Sequence, residues 1–410
     1  ATTFVEAVDH AIRYREPLVS LVRSGGVRLQ EGVAALAGMV RIQLALQRLA
    51  AARLPHVAIA DRPTTGGVLV SVITRADLRA AVAGATVGFA GPRVSAALSG
   101  VELPAGSHTA EAAYAHGLVD ALLEPDDVRD WLTRALAAVA TRATEPAAEP
   151  TPTEPAPLPP PAAAQRSSSA TGGAQHVARV RAAARPAAGD VVRALVSDGV
   201  ALRAVADETV VAVVGHLANG EPVVAVAVAA ERGGHPAPAG YRLLTRAARL
   251  ASALDRTLVT IVDTPGADPG AGAERNGIAT AIGDAIDAML TCRAPTVALL
   301  VGDGGSGGAL AATVADWVAV APTAYFAALA PDGAAVALRL TADEAADRMR
   351  LTPDDLIASG FADGAVPDAG DPDFDAVVGA VVAGMRAEDE TARLERRAAR
   401  WSAPVPRTLS

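Results

Sequence analysis

The sequence predicts an α/β protein of two tandem domains joined by a proline- and alanine-rich linker. Three observations predict it. The length, 410 residues, suits two domains of roughly 200 residues each better than one core. The stretch from Ala143 to Gln175 is so rich in proline and small residues that it offers nothing to bury. On either side, glycine-rich loops follow apolar strands in the same order and at the same spacing, the mark of an internal repeat. The domains are placed at 1–142 and 187–410, with the linker over 143–186.

Composition bounds what such domains do. Hydrophobic residues at 51% against 20% charged supply large cores, and 3% aromatics make them alanine, valine and leucine packing. Thirty-six basic against 45 acidic residues give a net charge of −9, which argues against a nucleic acid or an anionic membrane as partner. Every basic residue is an arginine. The chain therefore forms no lysine Schiff base, supplies no Walker lysine and carries no biotin or lipoyl group of its own. The single Cys292 makes no intrachain disulfide and no cysteine zinc site, so a reducing, cytoplasmic setting is expected. No apolar run reaches about 18 residues without a charge or a Gly/Pro break, and the first residues lack a signal-peptide pattern. The start at Ala1 fits a processed or trimmed end.

In the first half, Pro17 to Val22 reads as a strand ending in Ser24-Gly25-Gly26, Glu31 to Arg53 as a helix, and His56 to Ala60 as a strand opening into Pro63-Thr64-Thr65-Gly66-Gly67. In the second, Thr209 to Val214 and Pro222 to Val228 form a hairpin through Ala218-Asn219-Gly220. Thr257 to Val262 is then a strand ending in Asp263-Thr264-Pro265-Gly266. A helix to about Arg293 and a strand, Thr296 to Val301, lead into Gly304-Gly305-Ser306-Gly307-Gly308. The step from Gly25 to Gly66 (66 − 25 = 41) equals that from Gly266 to Gly307 (307 − 266 = 41). Gly88 to Pro92 pairs with Ala327 to Pro331, and Ala115 to Val119 with Ala358 to Ala362. Only 24 residues precede Gly25, so the hairpin matching that of the second half is missing or supplied elsewhere.

Glycine pairs between a strand and a helix leave backbone amides free to bind oxyanions. Gly302 to Ala309 has no Lys-Ser/Thr pair for a phosphate loop, and a dinucleotide reading of Gly302-Asp303-Gly304 leaves the duplication unexplained. His56, His108 and His116 lack metal spacing and read as structural or surface residues. Arg28 serves equally as a phosphate ligand or a structural ion pair. Asp263 orients its loop through a local hydrogen bond, Cys292 is inert, and Arg386 to Arg400 mixes charges as a solvated or interface helix does.

Ser24-Gly25-Gly26-Val27-Arg28-Leu29-Gln30-Glu31-Gly32, Pro63-Thr64-Thr65-Gly66-Gly67-Val68 and Gly88-Phe89-Ala90-Gly91-Pro92-Arg93-Val94 closely resemble the beta-type half of acetyl-CoA carboxylase carboxyltransferase. Ala239-Gly240-Tyr241-Arg242, Asp263 to Gly270, Gly304 to Leu310 and Leu351 to Leu356 resemble its alpha-type half. The likeness covers about residues 1–125 and 195–370. It implies two crotonase-like domains and transfer of a carboxyl group from carboxybiotin, held on a separate carrier protein, to a CoA thioester, foremost acetyl-CoA giving malonyl-CoA. Gly66 and Gly67 would then face the thioester carbonyl, and Gly307 and Gly308 the ureido oxygen of biotin. Gly25, Gly26, Arg28, Gly266 and Ala309 would line the substrate pocket, with no metal in this chain. The implied partners are a biotin carboxyl carrier protein, a biotin carboxylase and a second copy or more of this chain, one copy's first half facing the other's second half. The family's beta-type zinc module is absent, and the segment before Gly240 is shortened to Glu231-Arg232-Gly233-Gly234-His235-Pro236. Two other readings stand beside this one: a biotin-independent malonyl-thioester decarboxylase and a non-catalytic scaffold subunit.

Overall fold

The computed structural model describes residues 1–26, 31–139, 172–202 and 208–403. Five parallel strands form the first sheet: β1 (Leu18–Ser24), β2 (His56–Thr65), β3 (Leu78–Val82), β4 (Val87–Gly88) and β5 (Ala121–Leu123). Their order is β1-β2-β3-β5, with β4 beside the end of β2. Seven strands form the second: β6 (Ser197–Leu202), β7 (Val210–His216), β8 (Pro222–Val228), β9 (Thr257–Thr264), β10 (Thr296–Gly304), β11 (Trp317–Val320) and β12 (Gly364–Ala365). They run β12-β11-β10-β9-β8-β7-β6, parallel from β12 to β8 and antiparallel through β8, β7 and β6. The near-continuous apolar runs of β9 and β10, buried along their whole length, are what a parallel strand covered on both faces requires.

The expected elements form, except that the helix expected up to about Arg293 is two, Ala271–Arg275 and Ile278–Thr291, and β2 and β10 run on into the stretches expected as loops. The helix Val33–Ala51 joins β1 to β2, and Ile278–Thr291 joins β9 to β10. The hairpin closes at Gly220, φ 86°, and β6, which sequence reading missed, extends it. The duplication holds at residue level. Ser24 pairs with Thr64 and Thr264 with Gly304, after a register shift in each case, so residue n of the first unit matches n + 240 of the second (264 − 24 = 304 − 64 = 240). Further on, Thr109 and Thr352 each cap a short helix through the side-chain hydroxyl, and Gly117 and Gly360, φ 67° and 73°, follow those helices. One difference bears on assembly. β9 is paired on its far side by β8, whereas among the described residues nothing pairs with the outer edge of β1, and Leu21 there is 60% exposed.

Two expectations are corrected. The linker was placed over 143–186, but Gly173–Ala182 is a helix seated on the second unit, with His176 Nε2 donating to Ala324 O at 2.8 Å and Arg185 bound to Asp263. The second unit therefore includes Gly173–Ala182; residues 140–171 lie outside the described residues. A proline- and serine-rich lead-in hid the short Val177/Val180 face that docks it. Of the two readings of the run Arg386 to Arg400, a solvated or an interface helix, the solvated one is excluded. The run spans the end of Phe374–Arg386 and most of Glu390–Ser402, and Arg397 is 1% exposed. Its guanidinium pairs with Asp316 and donates to the helix-end carbonyls of Met289, Leu290 and Cys292. Carbonyl acceptors at a helix end, plus a buried carboxylate, account for a buried arginine.

The units face each other within one chain. Arg75 reaches Asp284 at 2.8 Å and Asp287 at 2.7 Å, and Gln47 donates to Asp287 at 3.2 Å. Gly283 makes the approach possible, since a Cβ there would stand 3.1 Å from Thr74 Oγ1 and 3.2 Å from Val70 O.

Candidate active site formed by two amide loops

β2 ends where Thr64 ties it to β1, its hydroxyl 2.9 Å from the Val22 carbonyl. Gly66 then turns the chain with φ 67°, ψ −145°, into the helix Gly67–Ser71. That left-handed φ is why glycine stands there. The Gly66 amide donates to Phe89 O at 3.0 Å and Gly88 O at 3.3 Å. The expectation that both Gly66 and Gly67 aim an amide at a ligand is thereby corrected. Gly66 shapes the turn, and the amides of Gly67 and Val68, in the first helical turn with no carbonyl four residues back, are the ones available.

The second loop repeats the first with different residues. Ser306, at φ 64°, takes the place of Gly66, and its amide donates to Ala327 O at 3.0 Å. Gly307 and Gly308 follow in the first turn of Ser306–Thr313 and match Gly67 and Val68. Gly307 lies close to the first unit, a Cβ there falling 3.4 Å from Met39 Cε and 3.6 Å from the Phe89 ring. Gly308 is packed inward, where a Cβ would fall 2.5 Å from both Ala267 N and Tyr241 Oη. Ala309, expected in the substrate pocket, is instead core: it is fully buried and its amide donates to Gly305 O at 3.1 Å.

The walls are matched too. Gly26 and Gly266 hold φ 112° and 146°, and each amide is held by the hydroxyl two residues back, Ser24 at 3.2 Å and Thr264 at 3.1 Å. Gly25 has open space beside it, while Arg28 lies outside the described residues. His235, in the shortened segment, donates from Nδ1 to Gly266 O at 3.0 Å. Asp263, expected to orient its own loop through a local hydrogen bond, instead ties β9 to the end of β10, accepting from Asp303 N at 2.9 Å while Arg185 balances its buried charge at 2.7 Å. Burial, then the Asp263 charge, pushes the Asp303 carboxyl up.

Sequence reading missed Glu274 and took its neighbour His108 for a structural or surface residue. Glu274, in the short helix Ala271–Arg275, accepts from Phe89 N at 2.9 Å through one oxygen and from Ala90 N at 2.8 Å through the other. Burial pushes its carboxyl up to about 7, against the pull of those two amides. His108 Nε2 stands 3.6 Å from Glu274 Oε1 with no hydrogen-bond partner, its side chain 0% exposed. Burial pulls the imidazole down, so both groups are driven toward their neutral forms. His108 sits at φ 58°, and only a glycine at 88 clears its ring, since a Cβ there would be 2.7 Å from Cδ2. The pair lines a cavity of about 200 Å³ between the units, walled by Leu69, Ile73, Val87 and Leu118. Nothing in the sequence marks Glu274, a lone acid in an alanine- and glycine-rich turn whose partners are backbone amides of the other unit.

This arrangement defines a duplicated α/β protein in which two matching turns, each leading from a strand into a short helix, both lie against Phe89. Residues 164–372 match the acetyl co-enzyme A carboxylase carboxyltransferase-like family. The chain is 38% identical over 380 residues to the "Acetyl-coenzyme A carboxylase carboxyl transferase subunits beta/alpha" of Salinispora tropica, covering 88% of this chain and 67% of that one. It is 35% identical over 376 residues to the "Probable biotin-dependent acyl-coenzyme A carboxylase beta3 subunit" of Mycobacterium tuberculosis, covering 90% and 73%. Among solved structures, transcarboxylase 12S with hydrolysed methylmalonyl-coenzyme A bound aligns with a TM-score of 0.46 at 21% identity, over 95% of this chain and 75% of that one. The chain belongs to the acetyl-CoA carboxylase carboxyltransferase family. It spans about two thirds of the length of the Salinispora relatives.

Proposed function

We propose that this chain transfers a carboxyl group from carboxybiotin, delivered on a separate biotin carboxyl carrier protein that a biotin carboxylase charges, to a short acyl-CoA, acetyl-CoA foremost, giving malonyl-CoA. The observation that carries the reading is the matched pair of loops, each presenting helix-start amides, that face one interface. Two oxygens gain negative charge in this reaction, the thioester carbonyl as an enolate forms and the ureido carbonyl as carboxyl leaves. Amides fixed in place before reaction stabilise such charge, and losing one donor costs about 3–4 kcal/mol in a comparable site.

Gly67 and Val68 would hold the thioester oxygen, and Gly307 and Gly308 the ureido oxygen. Carboxybiotin supplies the carboxyl group and, once released of it, the base for the α-proton. The chain's own part is to bind and orient: the Gly26 and Gly266 turns bring backbone within reach, and Phe89 keeps the two loops in contact. The homodimer, or higher assembly, belongs to the same proposal. The test is to supply biotin carboxylase, biotinylated carrier, ATP and labelled bicarbonate with acetyl-CoA or propionyl-CoA and to follow label into the acyl-CoA product. Labelled malonyl-CoA is expected. Decarboxylation of malonyl-CoA without biotin, and no labelled product, would move the assignment to a decarboxylase; no turnover at all would leave a scaffold.

A further inference from the structure

We propose that Glu274 is a positioning residue for carboxyl transfer: its carboxylate, reaching across from the second unit, holds the Phe89–Ala90 backbone from which both amide loops take their position. The proposal rests on the carboxyltransferase reading and adds a residue to that site. The contacts form a short chain. Each Glu274 oxygen takes one amide, Phe89 N at 2.9 Å and Ala90 N at 2.8 Å. Phe89 O then receives the Gly66 amide at 3.0 Å, fixing the turn that starts the first amide helix. The Phe89 ring lies against Gly307, a Cβ there falling 3.6 Å from Cε2. A second tether runs beside it, Ser95 Oγ donating to Pro269 O. Phe89 thus touches both loops, and what fixes its backbone comes from the opposite unit.

The chemistry asks for a carboxylate. Two N–H donors, one residue apart, need two acceptors, and only the ionised acid offers one on each arm. A carboxamide or a protonated acid turns a donor toward one of the amides and leaves it without an acceptor. The groups facing Glu274 are His108 from the first unit, Asp268 from the preceding turn, and Arg275 and His116, which line the same cavity. Burial outweighs the amides, with Asp268 adding to it, so the acid ionises as pH passes about 7. The clamp closes in that range and opens below it.

The experiment compares wild type with Glu274→Gln by steady-state transfer over a range of pH, by hydrogen exchange of the peptide spanning 87–92, and by thermal melting. For Glu274→Gln, kcat falls about tenfold or more while KM for the acyl-CoA changes less than about threefold, the split expected when a transition-state contact is lost. Wild-type kcat rises as pH passes about 7, and the variant is flat there. Exchange at Phe89 and Ala90 speeds about tenfold in the variant, while its melting temperature at alkaline pH stays at or above wild type because a buried charge has gone. A variant that keeps wild-type kcat and exchange, or whose kcat falls only with its folded fraction under an unchanged pH profile, overturns the proposal. Should the variant not fold, wild type decides: protection of the 87–92 amides, corrected for intrinsic rate, must drop below about pH 7. Wild type without transfer activity removes the carboxyltransferase reading, and the exchange data then judge the clamp alone.

Discussion

Gly66 and Ser306 occupy matching positions after β2 and β10, both at positive φ, 67° and 64°, and each amide is spent on a neighbouring carbonyl, Phe89 O and Ala327 O, at 3.0 Å. The positive φ is what the duplication preserves, and glycine occupies that position in only one unit. An L-residue at such a φ costs about 1–2 kcal/mol relative to glycine. Ser306→Gly is therefore expected to raise stability by up to about 1 kcal/mol, after the extra freedom gained by the unfolded chain, and Gly66→Ala to lower it by about 1 kcal/mol or more. Urea unfolding of both variants checks this; equal midpoints for Gly66→Ala and wild type would remove the argument.

The neighbours of these residues separate a ligand-facing glycine from a packing one. Gly307 leaves 3.4 Å to Met39 Cε and 3.6 Å to the Phe89 ring, so Gly307→Ala fits with small shifts. Gly308→Ala drives its Cβ to 2.5 Å from the Ala267 backbone and from Tyr241 Oη. The first should stay within about 1 kcal/mol of wild type, and the second should lose about 2 kcal/mol or more by overpacking. For transfer, Gly307→Ala is the informative variant. It should impair use of carboxybiotin, measured as biotin-dependent decarboxylation of malonyl-CoA, while affinity for CoA stays near wild type. Normal turnover in folded Gly307→Ala contradicts the assignment of the second loop.

The strands, the hairpin and the repeat were legible because each is local: apolar runs of strand length, Asn219-Gly220 at the turn, glycines at a fixed step. The candidate loops were found from their glycines, but the match between the two units was one residue off. Glycine spacing aligned Gly66 with Gly307, whereas the sheet registers align Gly66 with Ser306, a serine in a glycine's conformation that composition does not reveal. Glu274, His108 and Arg397 were illegible for one reason: each takes its role from a group distant in sequence, and those groups, backbone amides, another acid and helix-end carbonyls, leave no pattern in the neighbouring residues.

Two buried groups set opposing pH dependences. His56 is held neutral, its pKa lowered to about 4 by burial against the nearby Asp77 charge. The unfolded chain takes up that proton from about 6.5 downward, so the stability His56 contributes is full above about 6.5 and is lost as pH falls toward about 4. Glu274 is raised from 4.5 to about 7, so the folded state takes up a proton first; its contribution is greatest below about 4.5 and is lost as pH rises through about 7. The two offset each other in wild type between about 4.5 and 6.5. Single variants expose them. With His56→Gln, stability should fall as pH rises across this window, and with Glu274→Gln it should fall as pH drops. Denaturant midpoints at several pH values read the slopes, and two variants sloping the same way would contradict the assignment.

Asp316 holds the helix Glu390–Ser402 to the second unit. Its side chain is fully buried, accepts from Thr296 N at 2.8 Å, and faces Arg397 Nε at 2.7 Å and Arg393 Nη1 at 3.4 Å. Removing the carboxylate alone strands two buried guanidinium groups, and breaking one side of a buried pair costs about 3–5 kcal/mol. Arg397 also donates to the Met289, Leu290 and Cys292 carbonyls, so Arg397→Met loses helix-end hydrogen bonds and leaves Asp316 with the weaker Arg393 contact. Asp316→Ala is expected to destabilise by about 3 kcal/mol or more, and Asp316→Ala combined with Arg397→Met by less than the two single losses added together, because the second change removes one charge that the first leaves unpaired. Neither residue touches the amide loops, so transfer by the folded fraction should keep its wild-type kcat. Strict additivity in the double variant would mean that the pair does not compensate charge, and the helix Glu390–Ser402 would then be held by packing of residues such as Trp401 instead.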